Sequence, residues 1–220
     1  MTARRRKRRR RRSPVIVPVC LVLVILAVGV GLWWVNRPLP GADVEVPDYV
    51  ERAYLPVNPF SRPGPPLEEI NAVVIHYVGN PGTTAKANRD NFAALALGRD
   101  GTYASSHFVV GLEGEVIQCI PLTEVAYASN HRNRDTVAVE VCHPDETGEF
   151  SLETYAAVVE LTAWLCREFK LDAETGVIRH FDVTGKECPR YYVAHPDAWE
   201  QLKADVAAAM VRQEAEEKNS

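Results

Sequence analysis

Ala72-Val73-Val74-Ile75-His76-Tyr77 is a short apolar run rich in β-branched residues, with polar Asn71 before it and the turn-forming Gly79-Asn80-Pro81-Gly82 after it. A run of that length, closed by glycine and proline, predicts a buried strand whose last residues emerge at a loop. A strand with no alternating polar face needs cover on both sides, so helices are expected around it.

The segments downstream supply them. Thr84 to Leu97 predicts a helix ending at Gly98, and Ser105 to Val110 a strand. Gly111-Leu112-Glu113-Gly114 reads as a hairpin turn into a strand from Glu115 to Ile120. Thr136 to Cys142 reads as another strand. Ser151 is a candidate N-cap for a long amphipathic helix through Phe169, with Tyr155, Val158, Val159, Thr162, Trp164 and Leu165 toward the core. Val177-Ile178 is a short strand followed by an irregular loop. A last helix from Pro196 to Arg212 leaves 213–220 as a charged tail. Strands interleaved with helices, without internal repeats, predict an α/β fold: a mixed central β-sheet flanked by helices.

Upstream, eight of the chain's 15 prolines fall between Asn36 and Glu69, which rules out one regular element. Residues 36–53 are read as a proline-rich linker, solvated from Asp43 to Glu51, and the domain as beginning at Tyr54 and running to Arg212. Tyr54, Leu55 and Phe60 are apolar enough to pack on it. Before the linker, Arg4 to Arg12 are all Arg or Lys, and Val15 to Val35 carry no charge. As a helix that uncharged run spans about 31 Å, close to a hydrocarbon core of about 30 Å. The sequence therefore predicts a single transmembrane helix over 14–35, with Trp33 and Trp34 at its far interface and the basic arm 1–13 in the cytoplasm. Everything after Asn36 is expected outside. A cleaved signal peptide ending near Ala27-Val28-Gly29, or a nucleic-acid-binding arm, are the other readings of this terminus.

The net charge of −4 hides an asymmetry: without the nine-residue basic block, 16 basic residues face 29 acidic ones, a net of −13. So acidic a body does not suit nucleic acid, whose phosphates are recognised by basic surfaces. Four cysteines lie outside the apolar run. Their spacing dictates no disulfide, and Cys119, Cys142 and Cys166 are expected to pack in the core.

Of the six histidines, His131, His143 and His195 read as surface or structural residues, and His107 as either lining a groove or making a structural hydrogen bond. His76 differs, because an imidazole at the end of a buried strand is costly unless its nitrogens are bonded. His180 opens a loop, Arg179-His180-Phe181-Asp182-Val183-Thr184-Gly185-Lys186-Glu187-Cys188-Pro189, that also holds a Lys and a Cys. Imidazole and thiolate are good zinc ligands, and catalytic zinc usually has three protein ligands. About 100 residues separate His76 from His180, so spacing alone says little.

From Tyr54 to Val211 the chain resembles the zinc amidases that include phage amidase endolysins and peptidoglycan-recognition proteins, close to the bacterial cell-wall amidase branch. The likeness lies in Val74-Ile75-His76-Tyr77, Ala104-Ser105-Ser106-His107-Phe108-Val109-Val110, Ile117-Gln118-Cys119-Ile120-Pro121, Val139-Glu140-Val141-Cys142 and the loop just quoted. The resemblance implies zinc held by His76, His180 and Cys188, Glu140 as the acid–base carboxylate and Lys186 beside the reacting carbonyl. Some relatives use Asp as third ligand, and others place a Tyr before the middle strand's His where this chain has Ser106. It further implies a peptidoglycan hydrolase that cleaves between N-acetylmuramic acid and L-alanine, which the helix predicted over 14–35 would anchor to the membrane. A muropeptide-binding module of the same fold is the alternative. A third reading makes Cys188 a nucleophile with His180 as its base. Asp182 is expected to orient the loop or a ligand imidazole.

Overall fold

The computed structural model describes residues 16–99 and 101–219, so the basic block lies outside the described residues. The chain divides into two compact units, one reaching Pro38 and one starting at Leu39. The first contains helix α1 (Ile16–Asn36). Among its described side chains Val22 to Leu32 are exposed, but at about 1.5 Å per residue that stretch covers about half of a bilayer core. Among the described residues no helix is long and apolar enough to cross a membrane.

The second unit is built on six strands: β1 (Val50–Arg52), β2 (Ala72–Tyr77), β3 (Phe108–Val110), β4 (Val116–Gln118), β5 (Thr136–Val141) and β6 (Val177–Arg179). Their order across the sheet is β1-β4-β3-β5-β2-β6, and only β3 and β4 run antiparallel. The helices are α2 (Ala85–Ala94), α3 (Leu152–Glu168), α4 (Ala173–Gly176), α5 (His180–Thr184), α6 (Arg190–Ala194) and α7 (Pro196–Glu217). The mixed, helix-flanked sheet agrees with the sequence reading.

The period-two alternation of a strand divides the side chains between two cores. Val73, Ile75, Val137, Val139 and Val141 join Val158, Leu161 and Leu165 of α3 and Trp199, Leu202 and Val206 of α7. Val109, Ile117 and Cys119 belong to a second cluster with Ala85 and Phe92 of α2. His76 and Glu140 alternate with the α3-facing residues, and they are direct register partners on β2 and β5. The strand pattern that buries the core thus also sets an imidazole and a carboxylate side by side on the sheet's other face.

Helix boundaries follow local chemistry. Thr84 caps α2 by accepting from the Ala87 N–H, and Gly98, left-handed at φ +63, ends the 3₁₀ turn Leu95–Leu97 that follows. Ser151 caps α3 by accepting from the Thr154 N–H, while its hydroxyl donates to the Leu112 carbonyl and ties the helix to the β3–β4 turn.

Four expectations need correction. Residues 36–53 are not all linker: β1 lies within them, Val50 is buried, and Val44 and Val46 pack on the core, because β4 would otherwise be left with an open edge. The strand expected from Ser105 starts only at Phe108, since the Ser105 N–H is drawn to the Tyr127 carbonyl. The loop after β6 contains two short helices, α5 and α6. The tail is not free through Glu217: α7 continues to that residue, held by Gln213 donating to the Glu160 carboxylate at 2.8 Å and by an Arg167–Glu217 ion pair.

Candidate metal centre

Three side chains from separate parts of the sequence meet beside β2. His76 is 2% exposed and comes from the strand. His180 is the first residue of α5, directly after β6, where Asp182 accepts from the Arg179 backbone N–H at 2.8 Å and from its guanidinium, fixing the strand-to-helix turn. Cys188 is returned to that turn by its carbonyl, which accepts from the Phe181 N–H at 2.9 Å. One ligand atom from each of His76, His180 and Cys188 lies within 4.8 Å of the others. The Cys188 Sγ is 3.8 Å from His76 Nδ1, and the two imidazole centroids are 4.6 Å apart.

Glu140 stands beside them with Oε1 4.0 Å from His76 Nδ1. Its Oε2 and the His180 Nδ1 are both buried with no hydrogen-bond partner. Such orphaned atoms are rare in folded proteins and call for an explanation. With the chain's own charges alone, every acid and base here is driven toward its neutral form. Burial pushes the Glu140 carboxyl up to about 8 against the pull of Lys186, and pushes the Cys188 thiol up to about 12 with help from Glu140. His76 is held well below the usual imidazole range by burial and by the positive charges of His180 and Lys186, and His180 is lowered by burial and Lys186. Two imidazoles, a thiol and a carboxylate with uncompensated lone pairs fit a borderline-soft divalent cation such as zinc. A dication would reverse the penalty on the thiolate and give the orphaned nitrogen a partner.

Lys186 is exposed, and its charge is felt at His76, His180, Glu140 and Cys188 alike. The other expectations divide. Asp182 does not reach an imidazole; it orients the loop through Arg179. His107 is structural: its Nδ1 accepts from the Ala138 N–H at 3.0 Å and its Nε2 lies 2.9 Å from the Glu124 carbonyl. His143 is buried, with Nδ1 2.7 Å from the Asp145 carbonyl, whereas His131 and His195 are exposed. Cys119, Cys142 and Cys166 are free and buried.

Two neighbours of the centre were not legible beforehand. Ser129 Oγ is 3.4 Å from His76 Nε2, and Asn130 Oδ1 is 3.1 Å from His180 Nε2. Ser129-Asn130-His131 reads as any polar loop, and nothing in its composition signals contact with residues about 50 positions away on either side.

Residues 66–191 match the family model for N-acetylmuramoyl-L-alanine amidase. The chain is 32% identical over 178 residues to the N-acetylmuramoyl-L-alanine amidase BlyA of Bacillus subtilis, a match covering 72% of this chain and 47% of that protein. It is 31% identical to the N-acetylmuramoyl-L-alanine amidase CwlL of Bacillus licheniformis, covering 66% and 43%. The chain thus spans less than half the length of these curated relatives. Among solved structures, a mutant endolysin from Bacillus subtilis superposes with a TM-score of 0.59 at 26% identity, over 71% of this chain and 97% of that one.

Proposed function

Because the chain belongs to the N-acetylmuramoyl-L-alanine amidase family, we propose that it is a zinc-dependent peptidoglycan hydrolase. It cleaves the amide between the lactyl group of N-acetylmuramic acid and the L-alanine of the stem peptide. The observation that carries this reading is the convergence of the His76, His180 and Cys188 ligand atoms within 4.8 Å, next to a carboxylate whose Oε2 is buried and unpaired.

Zinc held by those three residues would supply Lewis acidity and lower the pKa of water toward about 7. Glu140 takes the proton from the attacking water and hands it to the departing amine. Burial raises its carboxyl, which favours its carrying the proton between the two transfers, while a bound dication would draw it back to the carboxylate that accepts from water. Lys186 carries a fixed positive charge toward the oxygen of the scissile carbonyl as that oxygen becomes negative. A Cys188 nucleophile is poorly supported, since burial raises the thiol's pKa, whereas a reactive cysteine needs it lowered.

The test is to incubate the full chain, in detergent micelles, with purified peptidoglycan and follow newly exposed L-alanine amino groups. Chelation should stop their release and zinc should restore it. Glu140→Gln should keep zinc and muropeptide binding but lose about 10² to 10⁴ in rate, and Lys186→Met about 10² to 10³. If wild type binds muropeptide but releases no amine from about pH 5 to 9 with zinc present, the protein is a binding module of the same fold.

The same reading puts the enzyme outside the cytoplasmic membrane, anchored by α1 with 1–13 in the cytoplasm, Arg37 and Pro38 as a short connector and the amidase unit beginning at Leu39. Support comes from the 21-residue helix Ile16–Asn36, the exposure of its described apolar side chains and the basic block ahead of it. The partners proposed are peptidoglycan and that membrane, not nucleic acid.

A further inference from the structure

We infer that Ser129 and Asn130 are positioning residues for the two imidazoles: Asn130 fixes the tautomer and aim of His180, and Ser129 holds the aim of His76, so that each histidine turns Nδ1 inward. This rests on the zinc reading above and goes beyond it in assigning the outer face of the centre to one two-residue segment.

The hydrogen-bond roles make the case. An amide oxygen only accepts, so Asn130 Oδ1 at 3.1 Å requires the proton of His180 to sit on Nε2. His180 Nδ1 then carries the lone pair, and it is the buried atom left without a partner. Ser129 Oγ occupies the same outer position on His76, 3.4 Å from Nε2; a hydroxyl donates or accepts, so it holds the ring's aim and not its tautomer, with His76 Nδ1 toward Cys188 and Glu140. Ligating imidazoles characteristically bond their second nitrogen to such a partner, which sets ring orientation and raises ligand basicity.

The segment is held for this purpose. Asn130 has φ +53, a left-handed conformation that Asn adopts more readily than most residues. Asn133 Oδ1 accepts from the N–H groups of Ala128 at 3.1 Å and Ser129 at 2.6 Å. Arg132 pairs with Asp135, and Thr136 at the start of β5 donates to the Arg132 carbonyl at 2.7 Å. The turn is therefore fastened to the strand that carries Glu140.

The test uses the full chain in micelles, histidine-labelled with ¹⁵N, and two readouts besides activity: zinc affinity by chelator competition, and the His180 tautomer by NMR in metal-free protein. Asn130→Gly keeps the left-handed backbone open while deleting the amide. It should weaken zinc binding about 10- to 100-fold and turn a single Nε2–H tautomer into a mixture. Asn130→Asp retains an acceptor and the backbone preference, and should bind zinc at least as tightly as wild type with the Nε2–H form kept. Asn130→Gly that binds zinc as wild type does, or leaves the tautomer unchanged, overturns the inference. If that variant does not fold, Asn130→Asp decides, a loss of zinc affinity there overturning it. A wild-type chain that takes up no zinc sinks the hydrolase reading instead, and the tautomer comparison, made without metal, still decides this one.

Discussion

His107 shows how a buried imidazole can serve the fold instead of the chemistry. Its two nitrogens bridge the Ala138 N–H and the Glu124 carbonyl, and burial lowers its pKa to about 4. In the unfolded chain the same group titrates near 6.5, so below that pH the unfolded state takes up a proton that the folded state refuses. Its contribution is therefore complete above about pH 6.5 and is lost as pH falls toward 4, at about 1.4 kcal/mol per pH unit. Between pH 7 and about 4.5 wild type should lose roughly 2 to 3 kcal/mol from this group. His107→Gln, which cannot titrate, should start less stable by about 1 to 3 kcal/mol but decline less steeply. Urea midpoints at the two pH values check this; equal declines in both proteins would show that another group drives acid sensitivity. From sequence alone His107 stayed undecided between groove and structure, because its two backbone partners come from Glu124 and Ala138, which only the fold brings together.

At the scale of elements, the segments written in local code were the legible ones. β2 lies where its β-branched run and flanking turn put it, and α3 begins at the Ser151 cap. Replacing Ser151 by Ala removes both the cap to the Thr154 N–H and the tie to the Leu112 carbonyl, and should cost about 1 to 2 kcal/mol with an unchanged denaturant slope. β1 was hidden. Val50-Glu51-Arg52 is too short to show a period, and it becomes a strand only because β4 offers it a parallel edge. Val50→Ala should therefore destabilise the whole domain by about 1 to 3 kcal/mol, although the residue sits in what reads as a linker. A loss below about 0.5 kcal/mol in urea unfolding would return Val50 to the solvated linker. The extension of α7 was hidden for a similar reason: its last turn is polar, and its partners Glu160 and Arg167 lie on another helix.

At the scale of the whole chain, His76, His180 and Cys188 were legible as types suited to zinc and as a family pattern, but their meeting depends on the sheet. β2 sits between β5 and β6, so the end of one strand and the loop after another converge with Glu140. The remaining whole-chain property is the segregation of charge, nine basic residues at the start and a net of −13 after them. An acidic body should not adhere broadly to an anionic wall, so on the anchored reading proposed above the N-terminal segment is what keeps the chain near its substrate. Two forces could act at that terminus, and they respond differently to salt. Attraction between the basic block and anionic lipid is screened within a Debye length of about 8 Å at physiological ionic strength and weakens further as salt rises. Burial of an apolar helix is not screened in this way. High salt should therefore leave the protein in the membrane fraction and detergent should release it. Proteinase K added outside intact protoplasts should free a body whose new N-terminus falls within residues 37–41. It should spare Val50–Arg52, whose backbone is paired to β4, and the approach to it from Gly41, which is left-handed at φ +73 and where an added Cβ would lie 2.8 Å from the Leu122 Cβ. Extraction by high salt alone, or protection of the body until the cells are lysed, would place the amidase unit on the cytoplasmic side or bind it by charge only.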